Sequence, residues 1–196
     1  MIDLKTCQST NSLYHLINLG YFKLKNHSIS TCYIRLAAFW THQQNKGKKM
    51  RLASYQPDIA PNLGSMIRLC ACFGVSLDII EPCGFPLSLK SLRRSAMDYA
   101  NITDMVRHDS WDSFQTNREP GRLILLTTKA DEILWDFKFE STDTLVMGRE
   151  SAGVPSEVHN ACDSHIKLPM YGKARSLNVA MTAGMALSEA LKQIRK

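Results

Sequence analysis

The chain has 196 residues, of which 44% are hydrophobic and 21% are charged, a composition typical of globular proteins. This length accommodates one domain, or one domain with an appendage, and it suffices to bury a hydrophobic core. No apolar run approaches the roughly 18 residues that a membrane-spanning helix requires. The composition therefore argues against a helical membrane protein, and we expect a soluble protein with no membrane partner.

The charge is unevenly distributed along the chain. Residues 1–49 carry seven basic side chains and one acidic one, whereas residues 50–196 carry 17 of each sign. The larger segment is neutral overall, so attraction to nucleic acid there must come from local clusters such as Arg93–Arg94 or Lys173 with Arg175. The smaller segment fits three interpretations: a basic arm that contacts RNA phosphates, a transit-like peptide, or a sequence that is untranslated or disordered.

From residue 51 onward, strand patterns alternate with helix patterns. Strands are predicted over Leu52–Tyr55, Leu77–Ile80, Ile102–Arg107, Arg122–Thr128, Thr144–Met147 and His165–Leu168. Helices are predicted over Ser65–Phe73, Leu87–Arg94 and Ser110–Thr116, with a long C-terminal helix opened by Ser176 and Asn178. This alternation predicts an α/β fold, a parallel sheet with helices on both faces. General rules of chain threading predict that it is unknotted.

Neither the cysteines nor the histidines indicate a metal site. The six cysteines lack the paired C-x-x-C spacing of a zinc site, and we expect them to be reduced thiols in a cytoplasmic protein. His108, His159 and His165 form no metal-ligand pattern, and we interpret them as surface or structural residues.

The most informative stretch is Ile166–Asn178, which reads IKLPMYGKARSLN. An apolar strand pattern leads into Pro169, the chain turns through Gly172, and Ser176 and Asn178 are residue types that cap a helix start. This pattern is typical either of an ordinary strand-to-helix connection or of a loop whose backbone amides and carbonyls bind a small ligand.

Two more stretches accompany it, Pro57–Arg68 (PDIAPNLGSMIR) and Asp143–Pro155 (DTLVMGRESAGVP). In this order, the three stretches resemble the signature motifs of the SPOUT-class RNA ribose methyltransferases, the SpoU/TrmH superfamily. They are most similar to those of its TrmL branch, which methylates the wobble nucleotide of certain leucine tRNAs. The resemblance extends over Met50–Lys196 and includes Ile80–Phe85 and Leu92–Tyr99.

The resemblance implies a fold that the residue patterns do not show. SPOUT enzymes tie the C-terminal segment into a trefoil knot, and the walls of the knot form the cofactor pocket. Because the resemblance begins at residue 50, where the charge balance also changes, we expect residues 50–196 to form the methyltransferase domain. We then expect residues 1–49 to be a basic extension that is disordered or not native.

The methyl donor implied by the family is S-adenosyl-L-methionine, with no metal. Its flat, uncharged adenine suits apolar walls and backbone hydrogen bonds. The sequence also lacks the P-loop and the dinucleotide fingerprint, which argues against a Rossmann dehydrogenase. Motif matching assigns to the pocket Leu126, Thr127, Gly148, Glu150, Leu168, Met170, Ser176, Leu177 and Asn178. Leu126 and Leu168 fit plain sheet core equally well. Gly148 is expected to let the backbone approach the ligand, and Glu150 to anchor its loop.

Arg68 matches the arginine that the family treats as catalytic, and its spacing from Asn62 is expected to place it near the pocket mouth. A guanidinium is a poor general base because its pKa exceeds about 12. We therefore expect Arg68 to bind the adjoining phosphate and to orient or acidify the 2′-hydroxyl, while phosphate oxygen or water takes the proton. Asn62 is expected to hold the loop or contact the ribose. The alternative for Arg68 is an ordinary surface arginine.

The second motif departs from the common family pattern G-P-E-x-R-G. Arg149 stands at the proline position and Ala152 at the arginine position, and Arg149 could replace the lost positive charge from a different angle. In the last helix, Ser188 stands where the enterobacterial branch has a tyrosine. These positions bear on the RNA target and on the dimer contact.

The resemblance as a whole implies a cytoplasmic homodimer that methylates the ribose 2′-hydroxyl of the wobble cytidine or uridine of leucine tRNAs. One alternative is a 2′-O-methyltransferase for another tRNA position or for rRNA. Another, of a different class, is a non-catalytic RNA-binding protein.

Overall fold

The computed structural model describes residues 50–87, 99, 103–172 and 175–195. These residues belong to one compact unit, Gly47–Lys196. The interpretations of residues 1–49 lie outside the described residues, and so does nearly all of the helix predicted over Leu87–Arg94.

Seven strands form one sheet in which every strand pair is parallel. The spatial order is β3-β2-β1-β6-β4-β7-β5. Two strands that come late in the chain are inserted between earlier ones, β6 between β1 and β4, and β7 between β4 and β5. The strands are β1 (Arg51–Tyr55), β2 (Ser76–Ile80), β3 (Met105–His108), β4 (Leu123–Leu126), β5 (Glu132–Ile133), β6 (Thr144–Met147) and β7 (Ser164–Lys167).

Helices cover both faces of the sheet, which confirms the predicted α/β architecture. On one face, α1 (Ala60–Phe73) and the long C-terminal α4 (Val179–Ile194) pack into a core with the inward side chains of the central strands. On the other face, α2 (Trp111–Asn117) and α3 (Ser156–Asn160) contribute to a second, smaller core. The four central strands are buried on both sides because each face is covered.

The first helix begins earlier than its sequence pattern indicates. It starts at Ala60 rather than at the predicted Ser65, so Pro61 lies in its first turn. Proline is tolerated in the first turn of a helix because the N–H that it lacks has no partner there. The predicted end is confirmed, since Gly74 follows Phe73 with the left-handed φ of 63° that closes a helix.

Three other differences concern short elements. The third strand begins at Met105 and ends at His108, displaced from the predicted Ile102–Arg107. The two-residue β5 and the five-residue α3 were not predicted, because elements this short show no hydrophobic period.

A buried polar cluster accounts for one of the histidines. The Asp78 carboxylate, which is 1% exposed, accepts hydrogen bonds from Arg51 Nε at 2.6 Å and Nη2 at 2.9 Å. His108 Nε2 lies 2.9 Å from the same carboxylate. Buried charges persist when they are paired in this way, so His108 is structural, as one of its two interpretations held.

Within the part of the chain that the structure describes, no helix is long and apolar enough to cross a membrane. The four described cysteines, Cys70, Cys72, Cys83 and Cys162, are free.

Candidate functional site

A cavity of about 460 Å³ lies at the carboxyl edge of the sheet, between the ends of β4, β6 and β7 and the start of α4. Parallel strands place all their carboxyl ends at one edge, and registers such as Leu126↔Met147 and Leu126↔Ile166 align these ends side by side. The volume falls within the range of small-molecule sites, about 300–1,000 Å³.

The structure brings together all nine residues that motif matching selected for the pocket, and it adds Asn62 to them. The three sequence stretches therefore meet in one place, although Asn62 in the first and Asn178 in the last are 116 residues apart in sequence. The predicted residues that line the cavity are Asn62, Leu126, Thr127, Gly148, Glu150, Leu168, Met170, Ser176, Leu177 and Asn178.

The floor of the cavity is apolar. Leu126 and Leu168 are 8% and 9% exposed, and each belongs both to the sheet core and to the cavity wall. The two interpretations offered for these leucines are thus compatible. Sequence reasoning missed Met147 and Ile166, which also line the cavity. The available signal was their position at the carboxyl ends of two buried strands.

Gly148 opens a narrow loop after β6. Arg149 and Gly153 exchange two backbone hydrogen bonds, at 2.9 and 3.0 Å, across this loop. A Cβ on Gly148 would lie 2.8 Å from the carbonyl carbon of Gly153, so no larger residue fits without opening the loop. The described contacts make the glycine necessary for the loop's own closure, a reason that differs from the ligand approach expected from sequence.

A hydrogen-bond chain ties the three stretches together at the cavity rim. Glu150 accepts from the Asp58 N–H at 2.8 Å and from Asn62 Nδ2 at 2.9 Å. Asn62 in turn accepts from Asn178 Nδ2 at 2.9 Å. Asn178 also caps α4, because its Oδ1 accepts from the backbone N–H groups of Ala180 and Met181. Both Glu150 oxygens are engaged, which suits an anchor better than an acid or base.

The dual role of Asn178 leads to a testable prediction. Asn178→Ala should lower the free energy of unfolding by about 2 kcal/mol, since it removes a helix cap and leaves the Asn62 carbonyl oxygen without its donor. Asn178→Asp retains the capping oxygen and loses only the amide N–H that donates to Asn62. It should therefore lower the free energy of unfolding by less than Asn178→Ala. Urea unfolding of both variants checks this. Equal losses would contradict a contribution from the helix cap, and wild-type stability of Asn178→Asp would contradict a contribution from the Asn62 contact.

An ion pair at the rim joins the first stretch to the second. Arg149 Nη2 lies 2.7 Å from Asp58 Oδ1. Hydrogen bonds from Arg149 and Ser151 lower the pKa of the Asp58 carboxyl to about 2, and the same Asp58 contact raises the pKa of Arg149. The carboxylate is therefore charged at neutral pH. Sequence reasoning missed Asp58, and its place in the first motif was the available signal.

Arg68 does not line the cavity. It lies on the exposed face of α1, six residues after Asn62, and the helical rise places it about 9 Å further along the axis. Its guanidinium carbon is 5.1 Å from the centre of the Tyr99 ring, within cation–π distance. Arg68 thus lies on the helix surface and outside the cavity lining, and its closeness to the pocket mouth stays a prediction.

The described side chains contain no group of three or more His, Cys, Asp or Glu residues that could hold a metal ion. His159 and His165 instead stack on each other, with ring centres 4.0 Å apart.

Comparison with known proteins gives consistent matches. Residues 49–188 match the SpoU rRNA Methylase family. A tRNA (cytidine(34)-2′-O)-methyltransferase of Beijerinckia indica is 51% identical over 145 residues, which represent 73% of this chain and 91% of the relative.

Solved structures show the same similarity. One that concerns the 2-OH methylation of C/U34 on tRNA has 35% identity and a TM-score of 0.70, and the match covers 75% of this chain and 97% of that chain. The SpoU methyltransferase AviRb of Streptomyces viridochromogenes, in complex with AdoMet, has 27% identity and a TM-score of 0.63, and the match covers 75% and 60%. With a parallel sheet and three converging motifs, these matches show that the chain is a methyltransferase of the SpoU rRNA methylase family.

Proposed function

We propose that this protein transfers a methyl group from S-adenosyl-L-methionine to the ribose 2′-hydroxyl of the wobble cytidine or uridine, position 34, of leucine tRNAs. The observation that carries the proposal is the convergence of three separated motifs on one cavity. The name of the Beijerinckia relative, a tRNA (cytidine(34)-2′-O)-methyltransferase, supports the reaction and the position.

The cavity fits the proposed donor. Leu126 and Leu168 offer apolar walls for a flat, uncharged adenine, while Thr127, Ser176 and Asn178 add polar groups at the rim. The AdoMet bound by AviRb, which shares this fold, supports the assignment. When bound, the donor supplies an electrophilic methyl group carried on sulfur. The chain's own residues would hold and orient it and would exclude water around the methyl group.

Arg68 is proposed to act on the RNA rather than on the donor. From the exposed face of α1, its guanidinium can bind the phosphate that adjoins the target ribose once RNA covers both this face and the cavity mouth. The bound cation then orients the 2′-hydroxyl and favours loss of its proton to phosphate oxygen or water. Asn62, held between Glu150 and Asn178, fixes the start of the same helix.

We propose that the active form is a homodimer. Met181 and Met185 are 62% and 48% exposed on α4, and residues four apart in a helix lie on the same face. Ile59 and Leu177 add apolar surface at the cavity rim. Exposed apolar patches of this kind mark interaction sites. A second copy would also let two subunits, each neutral over residues 50–196, build one RNA surface.

The dimer proposal predicts that Met185→Glu yields a monomer, since a buried carboxylate without a partner opposes association. Light scattering coupled to size exclusion gives the mass of the variant and of the wild type. Val106→Glu, at an exposed apolar position of the edge strand β3, is the control and should leave the mass unchanged. A monomeric wild type would contradict the proposal.

The remaining elements of the proposal follow the family. The insertion of β6 and β7 between earlier strands supports a C-terminal trefoil knot, which would be the exception to the rule that chains do not thread. We further propose residues 50–196 as the methyltransferase domain, residues 1–49 as a basic extension, and the cytoplasm as the location.

The test is an assay of the purified protein with labelled donor and bulk tRNA, followed by mapping of the methylated nucleoside. Label in the 2′-O-methylated wobble nucleotide of leucine tRNA is the expected result. Label at another tRNA position, or in ribosomal RNA when it is supplied, would contradict the proposed substrate but support the proposed methyl-transfer reaction. RNA binding without transfer would favour the non-catalytic RNA-binding protein.

A further inference from the structure

The loop after β6 has an arginine, but at an unusual place. The common family motif has proline at the position of Arg149 and arginine at the position of Ala152. The cation of this loop thus stands three residues earlier than usual. What it contacts decides whether it acts as a substitute for the missing arginine or in another capacity.

Arg149 forms an ion pair with Asp58, a residue of the first motif. Its Nε and Nη2 both donate to Asp58 Oδ1, at 3.2 and 2.7 Å. Ser151 donates to the other oxygen, Asp58 Oδ2, from its backbone N–H at 3.1 Å and from its hydroxyl at 2.6 Å. The Asp58 carboxylate therefore receives four hydrogen bonds from one loop.

These contacts reach the cavity through neighbouring residues. Arg149 and Glu150 both line the cavity, and the Asp58 N–H donates to Glu150 while its carboxylate accepts from Arg149. Asp58 thus holds both residues, and Glu150 is thereby directed at Asn62. The hydrogen bonds of Asp58 with Arg149 and Ser151 together fix the distance between the first motif and the loop after β6.

The same contacts argue against Arg149 as a ligand of RNA phosphate. The Asp58 carboxylate neutralises its charge, and two of its donor nitrogens are engaged. The third, Nη1, lies 3.5 Å from Gln56 Oε1. A phosphate would have to compete with a carboxylate that is already charged and well bonded.

We propose that Arg149 is a positioning residue: bound to Asp58, it holds the loop after β6 in the conformation that accepts the methyl donor. This inference rests on the proposed function, because it takes the cavity to be the donor site. It implies that breaking the pair weakens donor binding and spares RNA binding.

The experiment measures binding of the demethylated donor, S-adenosylhomocysteine, by calorimetric titration. Arg149→Ala and Asp58→Asn should each weaken binding about tenfold, the effect of one lost charge-assisted contact. The double variant should be no weaker than the worse single variant, because the two residues act through one contact. Arg149→Lys should recover part of the affinity, since it retains the charge but lacks the planar fork.

Two controls separate positioning from general damage to the fold. Arg107→Ala breaks a similar ion pair, Arg107 with Glu81 at 2.7 Å, and it should bind the demethylated donor like the wild type. In steady-state assays, Arg149→Ala should raise KM for the donor with kcat and the Kd for tRNA nearly unchanged. Asp58→Asn preserves side-chain size, so it remains informative if Arg149→Ala fails to fold.

Wild-type affinity in both Arg149→Ala and Asp58→Asn would overturn the inference. So would weakened tRNA binding with intact binding of the demethylated donor, which would identify Arg149 as a phosphate contact. If the wild type itself does not bind the demethylated donor, the proposed function fails first and the inference fails with it.

Discussion

Arg68→Ala should reduce kcat about a hundredfold or more while the affinity for S-adenosyl-L-methionine stays at the wild-type value. The expected fall in kcat follows from the loss of one preorganised hydrogen-bond donor near the oxygen that becomes negatively charged. Such a loss lowers kcat by about 10²–10³ in other enzymes. Donor affinity should persist because Arg68 lies outside the cavity lining, on the exposed face of α1. Single-turnover methylation of tRNA and calorimetry with the demethylated donor measure the two quantities separately.

The control for this prediction is another exposed arginine. Arg107→Ala removes a guanidinium from the sheet edge, where it pairs with Glu81, and it should leave turnover unchanged. Arg68→Lys should recover only part of the rate, because lysine offers a point charge without the bidentate fork. If Arg68→Ala turns over like the wild type, Arg68 is an ordinary surface arginine and the mechanism must be assigned elsewhere.

Gly148→Ala should weaken donor binding roughly tenfold to a hundredfold, although it adds only one methyl group. The new Cβ would lie 2.8 Å from the Gly153 carbonyl carbon and 2.9 Å from its Cα. These are backbone atoms that cannot move aside as a flexible side chain would. The narrow loop would have to open and would carry Arg149 and Glu150, which line the cavity, with it. Overpacking of this kind costs about 1–3 kcal/mol, enough to weaken binding roughly tenfold to a hundredfold.

Gly184→Ala is the matched control, since its added methyl makes only an ordinary van der Waals contact. The nearest atom is Leu69 Cδ1 at 3.6 Å, an ordinary contact, and alanine in a helix interior is favoured over glycine by about 1 kcal/mol. This variant should bind the donor normally and unfold at a higher temperature. Normal donor binding by Gly148→Ala would show that the loop after β6 tolerates opening, and it would remove that loop from the donor site.

Much of the fold could be predicted because its signals are local. The apolar run that contains β4 predicted a strand buried on both faces, and the structure has Leu123–Leu126 there with all four residues buried. The helix pattern predicted the end of α1 at Phe73, and Asn178 predicted the start of α4. Both ends are local features, since Gly74 and Asn178 satisfy backbone groups within their own turns. The start of α1 could not be predicted, because Pro61 serves equally in a turn and in a first helical turn.

The cavity residues were predicted from the motif resemblance. That they lie next to one another in the fold could not be derived from their spacing in the sequence. Their juxtaposition depends on the order β3-β2-β1-β6-β4-β7-β5, which places two late strands between earlier ones. Asp58 and Arg149 are 91 residues apart in sequence, so no local pattern joins them. The position of Arg68 was likewise not accessible, since it depends on which side of α1 faces the sheet.

The sequence by itself determined the alternation of strands and helices, the parallel sheet covered on both faces, and the three stretches whose resemblance named the pocket residues. Only the tertiary structure decided that Gly148 is required by Gly153, that Arg149 binds Asp58, and that Arg68 lies on a helix surface outside the cavity. The physical reason is the difference in sequence separation between the residues that interact. Backbone conformation and burial are encoded within a few residues, whereas hydrogen bonds and steric limits between loops exist only after the sheet has assembled and brought them together.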